Sequence, residues 1–321
     1  MAKVRQKVEE ALRPLCTEAV GHSKFFSAAD SHQLPVDAVA LPAGRLQPIE
    51  VPVAGSAGEI SAWAPFVTPL LVALIGFSLI WPISLKRQDV SLVDVAWGPG
   101  FAVQVVVAAY GAGAFSDRAK LLIALVCIWS LRLGYVLVRR RLREGHEDGR
   151  YTIIRRSWGP SFWWKSFFIV FVLQAFLQWL IAIGPIAGVV ASNQVVGWLS
   201  LVGCLFALSG LSIETRADYE LDQFKRSAPS GSLMKTGLRA HVRHPNYLGE
   251  MVFWVGIAMI CVEGGAWVGL ASPILIVVFL LKVSGAPLLD ERLSATRPDY
   301  EEYKRRVPAF IPRLSALRTA Q

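Results

Sequence analysis

Charge is scarce along this chain: only 18% of its 321 residues are Asp, Glu, Lys or Arg, against 54% hydrophobic. That balance excludes an ordinary soluble enzyme and points to a protein that crosses a membrane several times. Cysteine is scarce as well. Cys16, Cys127, Cys204 and Cys261 share no CxxC spacing, and three of them lie in apolar runs, so neither a disulfide framework nor a metal site is implied. Residues 1–62 hold no apolar core long enough for a signal peptide and read as a poorly ordered N-terminal extension. Internal repeats and inverted pairs of broken helices are also missing, which counts against a repeat-type transporter.

What is present is a succession of apolar runs. Seven of them, at about 63–85, 91–115, 119–138, 162–190, 195–215, 247–263 and 266–284, approach the roughly 20 residues needed to span a bilayer. The expected fold is therefore all-α, a polytopic bundle of seven transmembrane helices over residues 63–315, with a short tail at 316–321. Pro65, Pro69 and Pro82 in the first run and Gly98-Pro99-Gly100 in the second predict bends there. The net charge of +9 does not signal nucleic acid, because the basic residues come in blocks between apolar runs. The segments 139–165, 216–243 and 282–321 hold 22 of the 33 Lys and Arg residues, all on one side if there are seven spans. The positive-inside rule makes that side cytoplasmic, with the C-terminus inside; the expected location is a bacterial inner membrane.

Polar residues that are costly in a bilayer gather near that side. The stretch His241-Val242-Arg243-His244-Pro245-Asn246-Tyr247-Leu248-Gly249-Glu250 places a cation pair before a helix that starts at Pro245. Asn246, Glu250 and Trp254 then share one face, and Arg243 with His244 forms an anion cradle at the helix mouth. The plainer reading is a basic juxtamembrane flank. Asp94, in Ser91-Leu92-Val93-Asp94-Val95-Ala96-Trp97-Gly98, is either an interfacial cap or a buried acid able to polarise a ligand. Arg132 lies well inside the third run, on a stripe with Trp129, Val136 and Arg140, and serves either an internal salt bridge or an anionic cofactor. Glu214, Asp218 and Asp222 recur every four residues as an acidic stripe.

These residues carry a family resemblance. Arg243 to Glu250, together with Asp299-Tyr300, Tyr303 and Phe310-Ile311-Pro312, resembles the C-terminal part of the steroid 5α-reductase family, above all its bacterial DUF1295-type relatives. Asp94 with Trp97-Gly98 and the Glu147-Asp148-Gly149-Arg150-Tyr151 element extend the likeness over about residues 63–315. The resemblance implies a membrane reductase that uses NADPH to reduce a carbon–carbon double bond conjugated to a carbonyl in a hydrophobic small molecule. It implies cofactor contacts from Arg132, Asp218, Asn246 and Glu250, with Lys225 as a phosphate contact. Glu214, Arg243, His244 and Tyr247 join them as candidate binding residues. Asp94 and Trp129 occupy the positions of the family's carbonyl-polarising acid and tyrosine, and both depart from its residue types. An indole N–H donates a hydrogen bond but is a far poorer acid than a phenol.

A second resemblance runs through Arg243-His244-Pro245 with Tyr247 and the closing Glu301-Glu302-Tyr303 followed by Val307-Pro308. These features are similar to membrane isoprenylcysteine methyltransferases, and they imply S-adenosylmethionine as the alternative cofactor. A transporter or scaffold would instead leave Glu250, Arg132 and Asp94 in separate ion pairs with no shared cavity.

Overall fold

The computed structural model describes residues 57–191, 195–229, 231–283 and 285–312. It is 84% helical, with no strand among the described residues, and seven of its helical segments are long and apolar enough to cross a membrane. In hydrocarbon each backbone N–H and C=O needs a partner from within the segment, and a helix supplies one. The chain is a multi-pass membrane protein.

The helices are α1 (Ala57–Arg87), α2 (Val93–Ala112), α3 (Asp117–Glu144), α4 (Gly149–Trp158), α5 (Phe162–Ser166) and α6 (Leu173–Val190). They continue with α7 (Trp198–Ser227), α8 (Pro245–Glu263), α9 (Ala271–Val278), α10 (Ala286–Thr296) and α11 (Tyr300–Arg306). A π-helical turn, Phe167–Val172, joins α5 to α6, and a second, Phe279–Val283, follows α9. The N-terminal extension expected over 1–62 falls mostly outside the described residues, as does the tail at 316–321. α1 itself starts at Ala57, six residues ahead of the expected span, and runs unbroken past Pro65, Pro69 and Pro82.

The largest departure from the expected spans is α7. It runs for 30 residues, about ten more than a bilayer requires, so the acidic stripe belongs to the membrane helix and not to a following loop. α7 packs along α8 through glycines. A Cβ on Gly203 would fall 2.6 Å from the Gly256 carbonyl oxygen, and one on Gly249 would fall 2.7 Å from that of Gly210. Apolar burial gives little drive between helices already in lipid, so close backbone approach at small residues is what holds such a pair together. α2 and α3 meet in the same way: a Cβ on Gly98 would lie 2.7 Å from the Ser130 carbonyl oxygen.

Two polar devices fasten the rest. Beside the ladder break at Pro99, Gln178 of α6 donates to the carbonyls of Trp97 (2.6 Å) and Ala96 (3.2 Å) and accepts from Gln104 (2.8 Å). At the other end, Glu263 closes α8 and accepts from the backbone N–H groups of Gly197 (3.0 Å), Leu199 (2.9 Å) and Ser200 (3.1 Å). α7 has no side-chain cap of its own at Gly197, so this distant carboxylate satisfies its first donors. The end of the bundle opposite Glu263, where Arg139 to Arg143, Arg239, Arg243 and Lys304 collect, is termed the basic face below.

Candidate functional site

The site is built on the meeting of α3, α7 and α8. The two Nη atoms of Arg132 bond separately to Glu214 and Asp218, and the buried indole of Trp129 donates to Glu214 at 3.3 Å. Farther along the same helices, Arg139 (2.9 Å) and Arg143 pair with Asp222. The acidic stripe of α7 is thus matched by an arginine stripe of α3 at positions 132, 139 and 143. Arg140, expected on that stripe, reaches Asp148 at 3.2 Å instead, because seven residues, not eight, bring a helix back to the same face. Trp129, expected at a catalytic position, is 1% exposed. It stacks on Phe253 (5.3 Å between centroids) and meets Phe101 and Trp254 edge-on. Its place is in the core, holding Glu214.

Glu250 enters this group from α8, within Coulombic range of Arg132, Glu214 and Asp218. Three carboxylates therefore share the field of one guanidinium, supplemented by Arg239 and Lys225 near Asp218. Among the described residues the side chains of Asn246, Tyr247 and Glu250 have no hydrogen-bond partner, although all three are half-buried. The buried Nε atoms of Arg132 and Arg239 and the indole N–H of Trp254 also lack one. Buried polar groups are normally satisfied. Six polar side chains with unused donors or acceptors, on or beside the first turns of α8, form a site able to hold a polar ligand. Burial lowers the pKa of Arg239, while Tyr303 and Asp218 pull it back.

Next to this mouth lies a second group. Tyr151 donates to Asp94 at 2.7 Å and accepts from Gln174 at 2.8 Å. Arg150 bonds to Asp94 at 2.9 Å and also to Asp148. Burial alone would raise the Asp148 carboxyl, but the hydrogen bonds from Arg150 and the charges of Arg150 and Arg140 outweigh it and hold the group below the usual carboxylate value. Tyr247 lies within Coulombic range of Glu250 and also of Arg150 and Arg140, so the two groups share one electrostatic neighbourhood. Tyr151 and Gln174 had no role assigned from sequence. The Glu147-to-Tyr151 element was visible, but its contact with Asp94, 57 residues away, has no local signature.

Arg243 and His244, expected as phosphate contacts, are engaged elsewhere. Arg243 bonds to Asp290 (2.9 Å) and to the carbonyls of Val307 (2.8 Å) and Lys304 (3.1 Å). His244 meets the other Asp290 oxygen at 2.8 Å, and Tyr300 donates to that same oxygen. The backbone N–H groups of Arg243 and His244 bond to Pro308 (2.9 Å) and Ala309 (3.1 Å). Together these contacts clasp the C-terminal segment onto the start of α8. The His244 ring stacks on Tyr247 at 5.5 Å and meets Phe310 at a tilt at 5.7 Å, so the clasp supports the mouth while Arg243 and His244 direct their hydrogen bonds to the C-terminal segment. Burial, then the bond to Asp290, raises the Tyr300 phenol and keeps it a donor.

The clasp has a pH signature. Burial pushes His244 below the ordinary imidazole value of 6.5, against the opposing pull of Asp290. The neutral ring donates through Nε2, and its buried Nδ1, which has no partner, remains a lone pair. The unfolded chain takes up the proton first, so stability is flat above about 6.5 and falls as pH drops through the unfolded value toward the lower folded one. Amide exchange over residues 300–310, corrected for intrinsic rates, is expected to accelerate between pH 7 and pH 5 in the wild type, and much less in His244→Gln. Identical pH profiles for both proteins would contradict this assignment.

Among the described residues no group of three or more His, Cys, Asp or Glu side chains is placed to hold a metal ion. An uncharacterized protein of Schizosaccharomyces pombe is 27% identical over 286 residues, covering 78% of this chain and 80% of that protein. The nickel-cobalt-cadmium resistance protein NccN of Alcaligenes xylosoxydans xylosoxydans is 27% identical over 122 residues, which cover 38% of this chain and 55% of that protein. No solved structure matches. A family model described as "Protein of unknown function (DUF1295)" matches residues 80–307, which include Asp94, Tyr151, the α3–α7 ion pairs and the mouth of α8. The chain belongs to the DUF1295 family.

Proposed function

We propose that this protein is a membrane-embedded reductase that uses NADPH to saturate a carbon–carbon double bond conjugated to a carbonyl, in a lipid or steroid-like substrate. The observation that carries the reading is the Asp94–Tyr151–Gln174 chain, whose partner Arg150 lies within Coulombic range of Tyr247 in a mouth of polar groups with unused hydrogen-bonding capacity. A phenol held by a carboxylate and an amide is a carbonyl-polarising device, and phenols serve as general acids. The likeness to steroid 5α-reductases supports the same reading.

The residues at the mouth fit the cofactor. Asn246 and Glu250 offer an amide and a carboxylate to the donors and acceptor of a carboxamide, and neither is committed to another hydrogen bond among the described residues. Arg239, with its Nε atom lacking a partner, and Lys225 bring positive charge near Asp218 for phosphate oxygens. NADPH, when bound, supplies the hydride. Tyr151 moves its hydrogen bond from Asp94 to the substrate carbonyl oxygen, and Gln174 keeps the phenol oxygen in place. Asp94, anchored by Arg150, positions the phenol. Trp129 holds Glu214, which in turn fixes Arg132. The positive-inside rule puts the basic face in the cytoplasm, where NADPH is available, and the substrate reaches the site from the bilayer.

With the purified chain in lipid nanodiscs, NADPH oxidation is expected to depend on added hydrophobic conjugated ketones, and the saturated ketone is expected to accumulate in equal amount. Methyl transfer from labelled S-adenosylmethionine to isoprenylated cysteine, with no NADPH consumption on any enone, would replace this reading with the methyltransferase one.

A further inference from the structure

A groove of about 800 Å3 lies between the end of the last apolar segment, α10, α11 and the stretch after it, away from the mouth of α8. That volume is within the roughly 300–1,000 Å3 of small-molecule sites. Its apolar side is formed by Leu281, Pro287 and Phe310. Three ionisable residues, Asp290, Glu291 and Lys304, also line it. Asp290 is fully engaged by Arg243, His244 and Tyr300. The side chains of Glu291 and Lys304 have neither an ion pair nor a hydrogen bond among the described residues. The groove therefore offers one open anion and one open cation beside an apolar wall, at the point where a membrane span ends.

We propose that this groove binds a zwitterionic phospholipid with an ethanolamine headgroup. The ammonium faces Glu291, the phosphate faces Lys304, and an acyl chain lies along Leu281 and Pro287. A phosphatidylglycerol satisfies Lys304 but presents no cation to Glu291, so charge complementarity favours the zwitterion. Phe310 lines the groove and also packs on His244, which stacks on Tyr247. The bound lipid thus braces the clasp that supports the mouth of α8. This inference stands independently of the reductase reading, because it concerns the opposite side of the clasp.

The test is native mass spectrometry of the full chain in detergent, titrated with dioleoyl-phosphatidylethanolamine, dioleoyl-phosphatidylglycerol and water-soluble glycerophosphoethanolamine. The wild type is expected to prefer the ethanolamine lipid by roughly threefold, the size of an exposed ion pair. Glu291→Lys is expected to reverse that preference, and Ala295→Trp, which fills the groove from an exposed position, to abolish binding of both lipids. Equal affinity for the two lipids in the wild type, an unchanged preference in Glu291→Lys, undiminished binding in Ala295→Trp, or equally strong binding of the soluble headgroup would each overturn the proposal.

Discussion

Arg132→Ala is expected to destabilise the protein by about 3–5 kcal/mol, the usual cost of removing one partner from a buried ion pair, and to abolish saturable NADPH binding. Arg132 is 14% exposed, Glu214 3% and Asp218 25%, so the carboxylates left behind have little water to turn to. Glu250 adds to the same field. The loss follows because each Nη atom of the guanidinium serves a different carboxylate, the two standing one turn apart on α7. Lysine has the charge but not the fork, so Arg132→Lys is expected to recover only part of the stability. Neutralising a carboxylate as well, in Arg132→Ala with Glu214→Gln, is expected to restore more stability than Arg132→Lys does, yet without restoring cofactor affinity. Thermal unfolding in detergent, read by intrinsic tryptophan fluorescence, measures the first effect. A shift equivalent to under about 1 kcal/mol, the range of solvated surface pairs, would show that this group is not a buried network.

Tyr151→Phe is expected to lower turnover by about 10²–10⁴, the usual contribution of a positioned acid, while NADPH affinity stays within error of the wild type. The substitution removes one oxygen and leaves the ring in place, so the place of this residue in the buried apolar cluster that includes Phe77, Phe162 and Phe171 is retained. It does leave Gln174 and Asp94 each short of a partner, and a stability loss of about 1–3 kcal/mol accompanies the change. Gln174→Leu, which shares the stability loss but keeps the phenol, is the companion variant. It is expected to lower turnover less than Tyr151→Phe does. Equal loss of turnover in both variants, or a fall in NADPH affinity matching the fall in turnover, would assign Tyr151 a structural role in place of the acid.

The seven spans were legible because a bilayer imposes one requirement on every segment: about 20 apolar residues. Their ends were less so. Glu214, Asp218 and Asp222 depress the hydropathy of α7, yet the helix continues through them because α3 presents Arg132, Arg139 and Arg143 at matching heights. Hydropathy does not register a partner on another helix. The mouth of α8 was visible in Pro245, Asn246 and Glu250, since proline at the first position and a carboxylate in the second turn are local features. Arg243 and His244 were also visible, but their engagement was not. Asp290 lies 47 residues from Arg243, and only the folded chain brings it close. The same holds for Tyr151 and Asp94. Trp129 sat at the position where the resemblance led us to expect a catalytic tyrosine, and the aromatic cluster around it explains an indole there: it fills volume among Phe101, Phe253 and Trp254 while its N–H satisfies Glu214.

The proposed reductase requires the mouth of α8 to be a nucleotide site. Fluorescence titration of NADPH into the purified full-length protein, repeated with S-adenosylmethionine as competitor and with Glu250→Gln, tests it most directly. Saturable NADPH binding that S-adenosylmethionine does not displace and that Glu250→Gln weakens by at least tenfold, as loss of a charge-assisted hydrogen bond would, is the predicted result. Saturable S-adenosylmethionine binding with none for NADPH, or NADPH binding indifferent to Glu250, would contradict it.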